Sequence, residues 1–324
     1  MREPAFWWRE AGLAAGLLAP AAACYGAVAA QRMAQAGARA GVPVLCAGNF
    51  TLGGAGKTPT ALWLAKMLKD AGERPLCLSR GYGGNSAGPK LVTDTDSAEQ
   101  VGDEALLLAR IAPTIIARDR VAGAEAAAQA GVSVVVMDDG LQNPSLAKDF
   151  TLAVVDGRRG IGNGRVFPAG PLRAPLATQL ARSDVLLVIG DGNPGIKTDL
   201  PVFHGRLVPD AAAVTALKTR KVLAFAGIGD PDKFFATVQA AGIAVAQHTP
   251  FPDHHRFTAE EAAGLIMQAE YGGLALLTTE KDRARMTGDP VLAALAAKAH
   301  VLPVTLAVDE EEKLRTLVLA KLRR

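Results

Sequence analysis

Short apolar runs alternate with stretches of helical periodicity along most of the chain, the pattern of a parallel α/β sheet flanked by helices. Val42–Ala47 reads as a first strand, with Pro43 tolerable only near its start. A glycine-rich segment follows, then a helix from Pro59 to about Ala71. Ala61, Leu64, Ala65 and Leu68 share one face of it, Pro59 sits in its first turn, and Gly72 stops it. Leu76–Leu78, Val132–Met137, Leu152–Val155 and Val185–Ile189 are short apolar runs, together rich in β-branched residues, as buried parallel strands are. Gly192, Pro194, Gly195 and Pro201 cluster between Asp191 and Pro201 and mark the exit from a first domain. A second α/β unit then begins. It has a strand at Lys221–Gly227, a helix at Asp232–Ala241, and a helix opened by Thr258 with Glu261 in a capping box. Strands at Leu274–Thr278 and Val301–Leu306 and a charged helix from Asp309 complete it. The expected division is a segment over 1–40, a first domain over 41–205 and a second, smaller one over 206–324.

The amino-terminal segment breaks this rhythm. Phe6-Trp7-Trp8-Arg9-Glu10 precedes an uncharged run from Ala11 to Ala30, closed by Gln31-Arg32. The run has roughly the length of a membrane span, but it is mostly Ala and Gly and Pro20 interrupts it. A secretory signal is disfavoured because Glu3 offsets Arg2 and Glu10 offsets Arg9, leaving no strongly basic start. An alanine-rich core helix is the plain alternative. A helix lying in the membrane interface is the preferred expectation, with Trp7 and Trp8 at headgroup depth and Arg32 and Arg39 near anionic lipid.

Composition narrows the class without deciding it. The 324 residues are 49% hydrophobic and 21% charged, ordinary for a globular chain of about two domains. A net charge of +3 from 35 basic and 32 acidic residues does not predict a nucleic-acid partner, though it suits anionic substrates. Cys24, Cys46 and Cys77 lack metal spacing and read as reduced thiols of a cytosolic compartment.

Chemistry concentrates in a few segments. Thr51-Leu52-Gly53-Gly54-Ala55-Gly56-Lys57-Thr58 lies between a strand and a helix, the context a phosphate loop requires. Its glycines let backbone N–H groups turn onto phosphate oxygens, and the helix start adds positive potential. Lys57 would reach the β- and γ-phosphates of ATP and the Thr58 hydroxyl would ligate Mg²⁺. The usual first glycine is Thr51 here. Val132–Met137 runs into Asp138-Asp139-Gly140, an apolar strand ending in an acidic pair that suits Mg²⁺, directly or through water. Gly102-Asp103-Glu104 opens a helix, where acidic residues occur for dipole reasons alone. Phe251-Pro252-Asp253-His254-His255-Arg256 offers a loop histidine beside an aspartate, which suits a proton acceptor and a plain loop equally and disfavours a zinc site. Arg80-Gly81-Tyr82-Gly83-Gly84 pairs a cation and an aromatic beyond a strand edge, where α/β proteins bind ligands.

Together these segments resemble the tetraacyldisaccharide 4′-kinases of lipid A biosynthesis. The likeness runs from about Phe6 to the carboxyl terminus. It takes in Gly48-Asn49-Phe50-Thr51, Ser79–Gly84, Gly102-Asp103-Glu104, Asp138-Asp139-Gly140-Leu141-Gln142, Gly162–Arg165, Pro168–Arg173, Ala226–Gly229, Asp253-His254 and Thr278-Thr279-Glu280-Lys281-Asp282. Thr51 at the head of the loop looks like the family's own variant. The resemblance implies a P-loop NTPase-like α/β/α domain, a second smaller α/β/α domain, an active site in the cleft between them and a monotopic helix. It implies ATP- and Mg²⁺-dependent phosphorylation of the 4′-hydroxyl of a tetra-acylated glucosamine disaccharide 1-phosphate, giving lipid IVA, by a monomer at the cytoplasmic face of the bacterial inner membrane. Asp103 then looks like the catalytic carboxylate with His254 its partner, and Glu104, Asp138 and Asp139 like the acidic residues around Mg²⁺. Arg80, the Gly81–Gly84 turn with Tyr82, Arg120 and Gln142 are candidates for the glycolipid. Asn143 and Ala174 stand where the family usually has histidine and glutamate.

Two other readings compete. A membrane-attached regulatory ATPase of the partitioning type has a similar loop but normally a lysine where Leu52 stands. A cytosolic small-molecule kinase would turn the amino-terminal run into a core helix.

Overall fold

The computed structural model describes residues 3–323; Arg2, weighed above against Glu3, lies outside them. Eight strands come first: β1 (Val44–Asn49), β2 (Pro75–Ser79), β3 (Lys90–Leu91), β4 (Thr114–Ile116), β5 (Val134–Asp138), β6 (Phe150–Asp156), β7 (Val185–Ile189) and β8 (Val202–Pro209). Four more form a second sheet: β9 (Lys221–Ala226), β10 (Ala244–Pro250), β11 (Ala275–Thr278) and β12 (His300–Val301). The last, β13 (Val304–Val308), returns to the first sheet. The large sheet has nine strands in the order β13-β8-β7-β6-β1-β5-β2-β4-β3, and the small one four in the order β10-β9-β11-β12. Pairing is parallel throughout except at the two edges, where β3 meets β4 and β13 meets β8 antiparallel.

The side-chain alternation of β1 shows why both faces are covered. Leu45 and Ala47 point into a core with Leu64, Leu68, Val134, Val136 and Leu187, under the helix Lys57–Asp70. Val44 and Cys46 point into another with Leu76, Leu78, Val135 and Met137. Each fully buried leucine contributes about 2 kcal/mol, so the P-loop NTPase-like α/β/α core is anchored on both sides of the strand that delivers the phosphate loop.

The first strand and helix form as expected, shifted by about two residues. Pro43 falls outside β1, and the helix begins at Lys57 because Pro59 occupies its third position, where no intrahelical donor is needed. Thr258 and Glu261 make both bonds of the capping box. One expected strand divides: Val301–Leu306 supplies β12 to the small sheet and β13 to the large one. Pro303 lies between them; it cannot donate to a ladder, and the chain changes sheet there. The expected break at 205/206 falls inside β8, and the terminal helix Glu311–Leu322 puts Leu314 and Val318 into the large core.

The amino-terminal run is a short helix, Leu13–Leu17, and a longer one, Ala19–Met33, with Pro20 in the first turn of the second. Among the described residues no helix is long and apolar enough to cross a membrane. Ala22, Gly26 and Met33 face the protein, Gly26 closely enough that an added methyl would meet Val166 and Pro175 at 3.6–3.7 Å. Leu13 and Leu17 are 90% and 83% exposed, and Tyr25 and Val28 extend that outer face. The two tryptophans depart from expectation. Trp7 is buried, its Nε1 donating to Pro168 O at 3.1 Å, and Trp8 donates to Glu3 Oε2 at 3.0 Å beneath the Arg159 guanidinium. A buried indole needs an acceptor, and the Phe167–Arg173 loop supplies one.

Candidate active site

The phosphate loop leaves the carboxyl end of β1 and enters the helix Lys57–Asp70 through Gly56, at φ 96°. That conformation favours glycine, and a Cβ at Gly56 would also come within 2.8 Å of Ile189 Cδ1. No side chain caps the helix, so its first N–H groups face the loop's concavity, ready for an anion. Beneath the loop, Asn49 Nδ2 donates to Thr51 O at 2.7 Å and Leu52 N to Pro171 O at 2.8 Å. Gln142 Nε2 donates to Asn49 O and to Gln179 Oε1, both at 2.7 Å. Gln142 therefore supports the loop, where the sequence suggested contact with glycolipid.

The charged groups fall into two sets. Thr58 Oγ1 lies 3.3 Å from Glu104 Oε1 and 3.4 Å from Asp138 Oδ2. Asp139 turns away from that trio. Its carboxylate accepts from Arg173 Nη1 at 2.9 and 3.1 Å and sits 3.8 Å from Lys57 Nζ, while Arg173 Nε donates to Thr51 O at 2.9 Å. Arg173 thus clamps the loop to the acidic pair, a part the sequence quoted in a motif without assigning. Asp139 adopts φ 53° and His254 φ 54°, the two non-glycine residues in the left-handed region among the described residues. Both belong to the site, as strained backbone often does.

The small domain contributes the opposite wall. His254, after β10, places Nδ1 3.7 Å from Asp103 Oδ1, longer than a hydrogen bond. Tyr82 lies against the His254 ring, centroids 4.7 Å apart. The Gly81–Gly84 turn sits on the start of the helix Asp103–Ala109 so tightly that a Cβ at Gly102 would meet Tyr82 O at 2.4 Å. Lys281 Nζ donates to Glu104 Oε1 at 2.6 Å. Arg285, which no sequence signal singled out, donates to Asp103 Oδ2 through Nε at 3.0 Å and through Nη2.

Electrostatics follow this geometry. Burial, then Glu104 and Asp139, push the Asp138 carboxyl up to about 7. Burial works against ionised Asp103, yet His254, Arg285 and Lys281 outweigh it and hold its carboxyl well below the usual range. Burial likewise opposes charged Lys281, but Glu104, Asp103 and Asp138 keep it protonated. Lys57 is lowered by burial, partly offset by Asp139. Arg120 is buried beside the chain at Ala117, whose carbonyl it meets at 2.5 Å, while Arg80 is exposed beside the Gly81–Gly84 turn.

Among the described residues no three His, Cys, Asp or Glu side chains form a metal cage. Mg²⁺ does not need one, since it takes one or two carboxylates with phosphate and water. Asp138 Oδ1 is buried without a hydrogen-bond partner, beside the Thr58 hydroxyl and the Glu104 carboxylate, and that all-oxygen donor set fits the ion.

A family model described as tetraacyldisaccharide-1-P 4′-kinase matches residues 14–323. The chain is 55% identical to a tetraacyldisaccharide 4′-kinase of Methylobacterium sp. (strain 4-46), covering 100% of this chain and 98% of that one. It is 53% identical to the enzyme of that name from Rhodopseudomonas palustris (strain BisB5), covering 99% and 97%. Its fold is similar to the crystal structure of LpxK from Aquifex aeolicus in complex with ATP, with a TM-score of 0.75, 28% identity, and 95% and 99% of the two chains covered. With the phosphate loop, the acidic pair and the Asp103–His254 wall in one cleft, the chain belongs to the tetraacyldisaccharide-1-P 4′-kinase family.

Proposed function

We propose that the protein transfers the γ-phosphoryl group of ATP to the 4′-hydroxyl of a tetraacyldisaccharide 1-phosphate, with Asp103 and His254 activating the acceptor. The observation that carries this reading is the position of Asp103. Its Oδ1 faces His254 across the cleft at 3.7 Å, one residue from Glu104, which reaches the phosphate-loop Thr58. A sugar hydroxyl is a poor nucleophile. In the reaction its oxygen bonds to the γ-phosphorus, its proton passes to Asp103, and the bond to the β–γ bridging oxygen breaks to release ADP. Lys57 and the free N–H groups of the loop stabilise charge on the transferring group. His254 faces the carboxylate from across the cleft and orients it. Thr58, Glu104 and Asp138 would hold Mg²⁺, which when bound neutralises phosphate charge. Asp139 serves the same centre from behind, by fixing Arg173 and Lys57.

For the acceptor, the exposed Arg80, the Tyr82 ring and the Gly81–Gly84 turn offer cationic and stacking contacts suited to a phosphorylated sugar. Arg120, buried and bonded to Ala117 O, adds positive charge behind them and not a direct contact. The outer face of Leu13, Leu17, Tyr25 and Val28, continued by the partly exposed Phe167, supports docking on the cytoplasmic surface of the inner membrane. Sheet membership supports a large domain of 41–209 with 303–323 and a small domain of 210–302, joined by the β8 and β13 strands. The chemistry calls for no second copy, so a monomer suffices.

Transfer of labelled γ-phosphate to purified disaccharide 1-phosphate in detergent micelles tests the reading. Wild type should label the acceptor, and hydrolysis of ATP without acceptor labelling would replace the kinase with the regulatory ATPase.

A further inference from the structure

Arg285 ends the short helix Glu280–Ala284 and is almost wholly enclosed, its side chain 6% exposed. Four hydrogen bonds fix its guanidinium plane. Nε and Nη2 both donate to Asp103 Oδ2, and Nη1 donates to Gly227 O at 2.7 Å and to Asp282 Oδ1 at 3.1 Å. Asp282 is itself held, accepting from Gly227 N at 2.9 Å and from Thr279 Oγ1 at 2.6 Å. The fork is thus set by the small domain before it meets Asp103 of the large one.

The pattern of bonds on Asp103 is asymmetric. A guanidinium that only paired with a carboxylate would favour two parallel bonds, one to each oxygen. Here both donors converge on Oδ2, and Oδ1 is left with His254 at 3.7 Å. A symmetric fork would engage both oxygens, whereas the observed one leaves Oδ1 free of the guanidinium and open towards the cleft. Stability alone is a weak reason for such a pair, because a buried Arg–Asp contact seldom outperforms apolar packing once desolvation is counted.

We propose that Arg285 is a positioning residue for the transfer reaction: by claiming Oδ2 of Asp103, it turns Oδ1 towards the acceptor hydroxyl beside His254. The proposal rests on Asp103 being the proton acceptor. Lysine at 285 keeps a positive charge but cannot bond Asp103, Gly227 and Asp282 in one plane.

The test measures kcat, the KM for ATP and the KM for disaccharide 1-phosphate in Arg285→Lys, Arg285→Gln, Asp103→Asn and the Arg285→Lys/Asp103→Asn double variant of the full chain. Equilibrium binding of a fluorescent ATP analogue and thermal unfolding are followed in parallel. Arg285→Lys should lower kcat about 10-fold and Arg285→Gln about 100-fold, with ATP affinity held within about twofold and the Lys variant still cooperatively folded. In the double variant the Lys substitution should add nothing to the loss already caused by Asp103→Asn, because Arg285 acts through that carboxylate. Normal kcat in Arg285→Lys, a multiplicative loss in the double variant, or loss of folding in both single Arg285 variants would overturn the proposal. Normal turnover in Asp103→Asn would instead remove Asp103 as the base, a different failure.

Discussion

The two walls of the cleft are assembled in different ways. On the large-domain side, Lys57 and Thr58 follow β1, Asp138 ends β5 and Asp139 follows it, and the ends of these neighbouring parallel strands place the four residues together. On the small-domain side, Lys281 and Arg285 share the short helix after β11 and its cap, and His254 follows β10; nothing local ties that helix to His254 or either of them to Asp103. Their charges differ as well. Asp103, Glu104, Asp138 and Asp139 make the large-domain wall acidic, and Lys281, Arg285 and His254 face it with cations or a protonatable ring. Motif proximity builds a phosphate site from one domain, whereas acceptor activation needs both.

Breaking the large-domain wall should have the greatest effect. Lys57→Ala is expected to lower phosphoryl transfer about 10⁴-fold, read by labelled γ-phosphate in the acceptor; a variant within tenfold of wild type would show that the lysine does not meet the transferring group. Next comes the junction between the walls. Asp103→Ala should reduce kcat about 10³-fold and His254→Ala about 10²-fold, with smaller changes in KM, since both act mainly in the transition state. Equal losses in KM and none in kcat would move both residues to acceptor binding.

The Asp138 carboxyl sharpens the comparison through pH. Its folded value, about 7, lies above the usual 3.8, so the native state holds its proton longer than the unfolded chain does. The contribution of Asp138 to stability therefore declines as pH rises from 3.8 to about 7 and is lost above it. Mg²⁺ requires the ionised form, so its affinity should weaken about tenfold per unit below that value. Calorimetric titration with a non-hydrolysable ATP analogue would check this, and Asp138→Asn should flatten the profile. A profile already flat in wild type would dismiss Asp138 as a ligand.

The smallest effect belongs to the amino-terminal face, away from both walls. Leu13→Ala should weaken binding to vesicles of anionic phospholipid about fivefold, by removing exposed apolar surface, with turnover on a micellar substrate unaltered. Unchanged sedimentation with vesicles would assign that face to another contact.

How much was legible in the chain follows from how local each interaction is. Pro59, Gly72 and the Leu64–Leu68 face define a helix by themselves, and Thr258 with Glu261 define its counterpart in the small domain, because caps and periodicity act over a few residues. The split of Val301–Leu306 into two strands was not legible, because its halves pair with strands in different sheets and only Pro303 marks the break. Trp7 illustrates the same limit. An amphipathic indole near an alanine-rich helix suits an interface equally well, and the Pro168 carbonyl that buries it lies far along the chain.

The phosphate loop could be read directly because strand, glycines, Lys57 and Thr58 are contiguous, and their chemistry depends on backbone turned by neighbours. The family likeness also pointed to Asp103 and His254. The tertiary structure alone decided that Asp139 serves Arg173 and Lys57 rather than the Thr58 trio, that Gln142 braces the loop, and that Arg285 holds one oxygen of Asp103. Those choices depend on where buried donors find acceptors across a domain cleft, and such pairing has no signature in sequence spacing.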